Sequence, residues 1–522
     1  MKYSKIAWSA AVLALLQATT GCNVKENLTG QLTEDQIPKG APSALLQGVY
    51  NAQRDPIQGH VSVFALQEVS TDARIMPTRG PDWDDNGKWR ALYAHTWDAE
   101  NERVRDTFNQ LEGIIYSSTD LLRFEPTVQQ QAEARFLRGW ATFLLLDLYD
   151  QVLYREPGED LSQNSKVRKG TVALDYIVSE LNAVQASLPD APVSRGTKDA
   201  ARVLLMKCYL NRGVYANRAA PTFAAADMNQ VIRLADEIIN SGRYSFTTNY
   251  FDNFAPNNSA IGRENIYTQA NTFGDSGPTR DLWKFVSHYN MKPVDGYNGP
   301  ATTASFYDLF EATDKRRGVA YDGPGGPPNP GRRINAGFLI GQQYNLITDA
   351  PLTIRNGAPL IFTKDINLSE SGSDLEAKGI RPIKYPVDYA SEAKGGNGCE
   401  NDHVTFRLAD VLLMKAEAIL RGGTATSAGT YGGTALDIVN GLRTHPSRGA
   451  SALPAPLTLD NLIDERGREF YSESWRRNDL VRFGKFLAAR KDKPTSNPRC
   501  LVYPVPQTQV DVNSNIIQNP GY

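Results

Sequence analysis

Apolar residues return every three to four positions along "AEARFLRGWATFLLLDLYD", Ala132 to Asp150, placing Leu137, Trp140, Ala141, Leu144 and Leu148 on one side of a helix. The pattern repeats. Thr197 can cap a second helix whose stripe is Ala201, Leu204, Leu205, Cys208 and Tyr209, with Gly213 placed to end it. A third stripe, Met228, Ile232, Ala235, Ile238 and Ile239, stops at Gly242. Arg103 to Arg123 and Thr171 to Leu188 also read as helices. Paired helices recurring every thirty to forty residues or so have the period of tetratricopeptide-type repeats. One such pair cannot bury its apolar face alone, so neighbours must stack into an array. The expected fold is mainly α, a tetratricopeptide-like helical-repeat core.

The pattern breaks between 245 and 405. "FGDSGPTRDLW", "YNMKPVDGYNGP", "YDGPGGPPNPGRR" and "SEAKGGNGCEND" are dominated by Gly, Pro, Asn and Asp, with strand-like runs such as Pro359 to Thr363 between them. Aromatic anchors spaced throughout argue for an ordered, loop-rich insertion carrying short strands. Helices then resume: Arg407 to Leu420 with Leu408, Val411, Leu412, Ala416 and Ile419 on one side, Ala435 to Arg443 as its partner, and Leu459 to Leu487, rich in Arg and Glu.

The beginning of the chain reads differently. Lys2 and Lys5 precede the apolar run Ile6 to Leu16, too short for a permanent membrane span, and "QATTGC" follows. Small residues directly before Cys22 resemble a bacterial lipobox, with Thr19 where a Leu is usual. Residues 1–21 are therefore expected to be a lipoprotein signal peptide, and 22–40 a lipidated Cys22 with a polar, flexible tether. Of the other cysteines, Cys208 lies on an apolar helix face, while Cys399 and Cys500 could pair in an oxidising compartment.

Charge excludes one class of partner. Lys and Arg number 56 against 58 Asp and Glu, and no basic stripe is visible, so nucleic acid is not expected. Five His and four Cys leave little for metal or nucleophile chemistry, whereas 23 Tyr, 19 Phe and 7 Trp suit a surface that stacks flat ligands. "GDSGP", Gly274 to Pro278, matches the nucleophile segment of chymotrypsin-like proteases, but the histidine segment and the β-barrel are missing, so it reads as a turn. "GPGGPPNPG" lacks the GK[ST] of a phosphate loop. Glu465 and Glu469 share a helix face beside Arg466 and Arg468, which fits a salt network better than the facing carboxylates of a glycosidase. No cofactor is implied.

"PDWDDNGKWRALY", from Pro81, opens like an EF-hand loop with Asp82, Asp84 and Asn86, a weak calcium candidate. The twelfth position is Tyr93 where a bidentate acid is needed, so an Asx-rich turn is the stronger reading. The aromatics remain. Sugar rings have apolar C–H faces that stack on indole or phenol rings, while Asp, Asn and Arg bond their hydroxyls. Trp83 and Trp89, with Asp72 and Arg79, form one candidate ligand-binding set; Trp283, Tyr289 and Tyr297 in the insertion form a second. Each ring could equally fill the core.

"STDARIMPTRGPDWDDNGKW", "TKDAARVLLMKCYLNRG", "FRLADVLLMKAEAIL", "ERGREFYSESWRRNDLVRFGK" and the terminal "YPVPQTQVDVNSNIIQNPGY", in this order behind a lipobox, resemble the SusD/RagB family of Bacteroidota surface lipoproteins. The resemblance implies four tetratricopeptide-like helix pairs, split into an N-terminal region 41–244 and a C-terminal region 406–522, with 245–405 as a variable ligand-facing insertion. It also implies a non-catalytic, lipid-anchored protein of the outer membrane, facing outward. Such a protein would be a lid on a SusC-like TonB-dependent transporter, delivering an oligosaccharide or, in some members, a peptide. A surface glycoside hydrolase and a purely protein-binding scaffold are the rival readings.

Overall fold

The computed structural model describes residues 41–522 with the exception of 397; the expected signal peptide, lipidated Cys22 and tether lie outside the described residues. A first helix, α1 (Ala41–Ala52), precedes the array. Then follow α2 (Glu102–Leu121), α3 (Val128–Tyr149), α4 (Gly170–Val184), α5 (Lys198–Ala216) and α6 (Ala225–Asn240), each packed against the next. Their starts are chemically marked. The Asn101 side chain accepts the amides of Arg103 and Val104, Thr127 and Gln130 form a capping box, and Thr197 accepts the amide of Ala200. The expected stripe of α3 is buried, and so is nearly every residue from Ala132 to Tyr149, because α2, α4 and α5 all pack on it.

One glycine differs from expectation. Gly213 does not end α5, which runs on to Ala216. A Cβ there would collide with the backbone carbonyl of Thr222, so the missing side chain serves close chain packing instead of a cap. Gly242, at φ 65°, does follow the end of α6.

The array then leaves for the insertion and returns. α7 (Leu408–Leu420) packs on α6 and also on α8 (Ala435–Arg443) and α9 (Leu459–Phe470). The two ends of the insertion are tied by an antiparallel ladder, β1 (Asn265–Gln269) with β2 (His403–Arg407), pairing Asn265 with Arg407 and Gln269 with His403. β2 passes directly into α7. Inside the insertion a three-stranded sheet orders Arg381–Ile383, Ala336–Leu339 and Gly318–Val319. Its own core gathers Phe251, Phe254, Trp283, Leu360 and Tyr385. "GDSGP" is a turn, with Gly274 at φ 86° and Thr272 bridged to Asp275.

The helical expectation for 459–487 is corrected. α9 ends at Phe470 and α10 spans only Arg476–Arg482. Between them Ser472 and Ser474 take positive φ, and their amides donate to the buried Glu68 carboxylate at 3.3 and 2.9 Å. The bonds to Glu68 hold the chain out of the helix. Cys208, Cys399 and Cys500 are buried free thiols. No described helix is long and apolar enough to cross a membrane.

Insertion and array are joined by buried ion pairs. Glu469 of α9 accepts from Arg407 at 2.6 Å, Arg448 at 2.7 Å and Arg316 at 2.8 Å. Glu465, one turn earlier, accepts from Arg316, Arg468 and Arg443. The two carboxylates are thus members of a salt network, as their spacing beside arginines suggested. Within the array Asp410 pairs with Lys207 and Arg466, and Glu417 with Arg482 and Arg421. Burial alone would raise these carboxyls, but the facing cations prevail: Glu465 and Glu417 fall from 4.5 to about 2, and Asp410 from 3.8 to about 2.

Depressed carboxyls mean that the unfolded chain binds more protons than the folded one between those values. Stability should therefore hold above about pH 4.5 and fall steeply as pH drops toward about 2, measurable by circular dichroism across an acid titration. Glu465→Gln leaves its arginines short of a counter-charge; it should cost about 3–5 kcal/mol at neutral pH in urea unfolding and flatten the acid limb.

Candidate ligand-binding surface

The loop after α1 is pinned from beneath. Asp72 accepts two bonds from Arg476 of α10, at 2.8 and 2.7 Å, and its carbonyl accepts from Thr303 at 2.9 Å. Although desolvation opposes ionisation, the Arg476 guanidinium keeps the Asp72 carboxyl below its usual range. Thr78 and Arg79 pair in parallel with Ser369 and Glu370. Arg79 is buried; its guanidinium reaches the Gly299 carbonyl at 3.2 Å and the Leu375 carbonyl at 2.6 Å. Both residues therefore hold loops together with side chains already engaged inside the protein.

From this footing the chain turns sharply, with Trp83, Asp85, Asn86 and Gly87 all at positive φ. Trp89 follows in a short helix, 3% exposed, its indole N–H donating to Asp85 at 2.7 Å. Trp83 stays partly open on top of it, ring centroids 6.4 Å apart. The Trp83 N–H donates to the Tyr297 carbonyl at 2.9 Å, and its ring meets Phe285 edge-on at 5.4 Å. Phe285 in turn contacts the Tyr297 ring at 5.5 Å. Tyr297 is 52% exposed. Trp83 and Tyr297, from the two separately expected sets, thus meet on one surface.

A third loop adds polar groups. The Arg355 guanidinium lies 4.1 Å from the centre of the Tyr289 ring and 3.7 Å from the Asp82 carboxylate. Glu376 backs it, 3.5 Å from Arg355 and 3.3 Å from the buried His288 ring. Burial lowers the His288 imidazole to about 4, against the pull of Glu376, so it is neutral at neutral pH. Asp82, Trp83, Tyr289, Tyr297 and Arg355 make a surface of ring faces with a charge at its edge, suited to an uncharged ring with hydroxyls. Arg355 carried no sequence signal: it lies in a turn with neither an aromatic nor a motif beside it.

The remaining candidates lie elsewhere. Trp283 is 0% exposed, at the centre of the insertion core, its N–H donating to Glu392 at 3.1 Å. Of the calcium candidates, Asp84 is paired with Arg90 and Asp82 with Arg355, and Asn86 is exposed. Among the described residues no three acid, His or Cys side chains gather as a metal site. Glu465 and Glu469, the acids a hydrolase would draw on, are fully buried in ion pairs.

The seat of Trp83 depends on one missing side chain. A Cβ at Gly299 would overlap the indole ring. Gly299→Ala should therefore displace Trp83 while costing about 1–3 kcal/mol. Acrylamide quenching of tryptophan fluorescence should increase, and the increase should vanish in a Trp83→Phe background.

The SusD family model matches residues 234–497, a little more than half of the 522-residue chain. The starch-binding protein SusD of Bacteroides thetaiotaomicron is 26% identical over 517 residues, covering 88% of this chain and 85% of that protein. Among solved structures, a SusD superfamily protein of Parabacteroides distasonis superposes with a TM-score of 0.71 at 17% identity, covering 94% of this chain and 100% of the other. Surface glycan-binding protein A of Bacteroides thetaiotaomicron, solved with laminarihexaose, gives 0.66 at 16% identity, covering 92% of this chain and 99% of that one. The likeness of fold extends over nearly the whole of each chain. Relatives named for starch and glycan binding accompany a chain whose Glu465 and Glu469 are locked in ion pairs in its interior. By the match across its second half, and by the array it shares with those structures, the chain belongs to the SusD family.

Proposed function

We propose that this protein binds an oligosaccharide at the cell surface and hands it to a SusC-like TonB-dependent transporter of the outer membrane, over which it acts as a lid. The observation that carries the reading is the meeting of Trp83, Tyr289 and Tyr297 with Asp82 and Arg355, from three loops, on one face of a rigid helical scaffold. Stacked rings take the C–H face of a sugar, and the charged pair at the edge takes its hydroxyls. The relatives named for starch and glycan binding support this choice over a peptide. In this reading the acyl chains on Cys22 hold the protein to the membrane and 22–40 is the tether. A lid can shift toward its closed state only through ligand contacts present there and absent in the open state. The complex with the transporter should therefore bind the ligand more tightly than the isolated lid.

An oligosaccharide array followed by calorimetry tests the binding step. Trp83→Ala and Tyr297→Ala should each weaken the best glycan roughly tenfold or more, about 1.4 kcal/mol, with melting temperature retained. Trp283→Ala should instead destabilise the fold by about 3–5 kcal/mol. Hits among peptides alone would move the protein to a peptide-binding role, and turnover of a bound glycan would restore the hydrolase reading.

A further inference from the structure

A cleft of about 310 Å³ opens in the insertion, within the size range of small-ligand sites, about 300–1,000 Å³. Its apolar wall includes the buried Val294, Leu339, Ile383 and Val387. Its charged lining is Lys292, Arg332 and Arg333, and no Asp or Glu is among the residues that form it. Lys292 is paired with Asp295 at 2.7 Å and Arg333 with Asp349 at 2.8 Å. The Lys292 pair is solvent-exposed, of a kind that holds its partners weakly, whereas Arg333 is half-buried and donates to Asp349 through two bonds, at 2.8 and 3.2 Å. Arg332 is exposed and has no carboxylate partner among the described residues. Arg333 lies 3.6 Å from the centre of the Tyr344 ring, which holds the guanidinium at the cleft. The phenol hydroxyls of Tyr344 and Tyr389 have no hydrogen-bond partner among the described residues.

An apolar wall, free phenol hydroxyls and the Arg332 guanidinium, with two further cations each shared with one carboxylate, suit a sugar ring that carries an anionic group. The cleft and the aromatic surface draw on the same loop. The 285–299 loop supplies Tyr289 and Tyr297 to one and Met291 and Val294 to the other. We propose that this cleft is a second subsite that binds an acidic sugar residue, a uronate or a sulfated unit, of the same chain whose neutral stretch lies on Trp83 and Tyr297. The proposal rests on the oligosaccharide reading and narrows it to acidic glycans.

Calorimetry of the purified full-length protein separates the two. The probes are hexagalacturonate, its methyl ester, a chondroitin sulfate hexasaccharide and neutral laminarihexaose. One acidic probe should bind at least roughly tenfold tighter than the methyl ester, the fold-change of a single charge-assisted hydrogen bond. A preference for hexagalacturonate would point to the unsulfated uronate chain, and the reverse preference to the sulfated one. Arg332→Gln with Arg333→Gln should remove that advantage, added salt should shrink it, and Arg233→Gln, on α6, should leave it intact. Equal binding of acidic and neutral probes, with sensitivity to Trp83→Ala, would overturn the acidic subsite and keep the glycan platform. An advantage lost equally in Arg233→Gln would reduce it to general surface charge and also overturn it. Binding by none of the four probes would overturn both readings.

Discussion

A single carboxylate, Glu469, brings three distant parts of the chain to one point. Arg407 arrives from the end of the ladder, Arg448 from the turn after α8, and Arg316 from within the insertion. Desolvation works against its ionisation, and the three guanidinium groups reverse that and hold it far below the ordinary glutamate range. A buried charge missing its partner is several kcal/mol less favourable, whereas a complete set roughly balances its own desolvation. The network thus adds little net stability compared with an apolar core, but it penalises every arrangement in which one of the segments is elsewhere. That makes it a constraint on how the insertion seats against α9.

The same constraint reaches the surface. Beyond Glu469 the chain leaves the helix, and the amides of Ser472 and Ser474 grip Glu68. Arg476 then takes Asp72, and a few residues on Arg79 takes the Gly299 carbonyl, on whose residue the Trp83 ring rests. Each step is a bidentate pair or a buried bond to a backbone group, neither of which leaves the next segment much freedom. The aromatic surface is therefore built on loops, but on loops held by the helical array, so its rings are placed before any ligand arrives.

Much of the array was legible in the sequence because helical burial writes a period. The stripes of α3, α5, α6 and α7 are core except for Tyr209 and Ile419, which are partly buried and pack against it, and Thr197 caps α5 as its position suggested. What escaped was decided by contacts distant in sequence. Gly213 looks like a helix end until Thr222 is seen beside it, and the break after Phe470 is caused by Glu68, some four hundred residues earlier. The site was legible by composition and only partly by position. Trp83 and Trp89 are six residues apart with similar neighbours, yet one roofs the other. Trp283, in the short helix Asp281–Lys284, is fully buried, whereas Tyr297, in the loop beyond it, is 52% exposed. No local pattern separates a ring that fills a core from one that faces solvent, since both need the same apolar surface. Arg355 had no local signal at all.

The ladder that closes the insertion has a further meaning. Because β1 and β2 run antiparallel side by side, the chain departs from the array and re-enters it at almost the same place. The segment between them can lengthen, shorten or exchange its loops without altering the path of any helix before or after. Only the few anchoring groups, Arg316 and Lys384 among them, must keep their reach toward Glu469 and Glu473. The ladder thereby uncouples the two parts mechanically: the helices and their ion network keep one frame whatever the length of the loops beyond it.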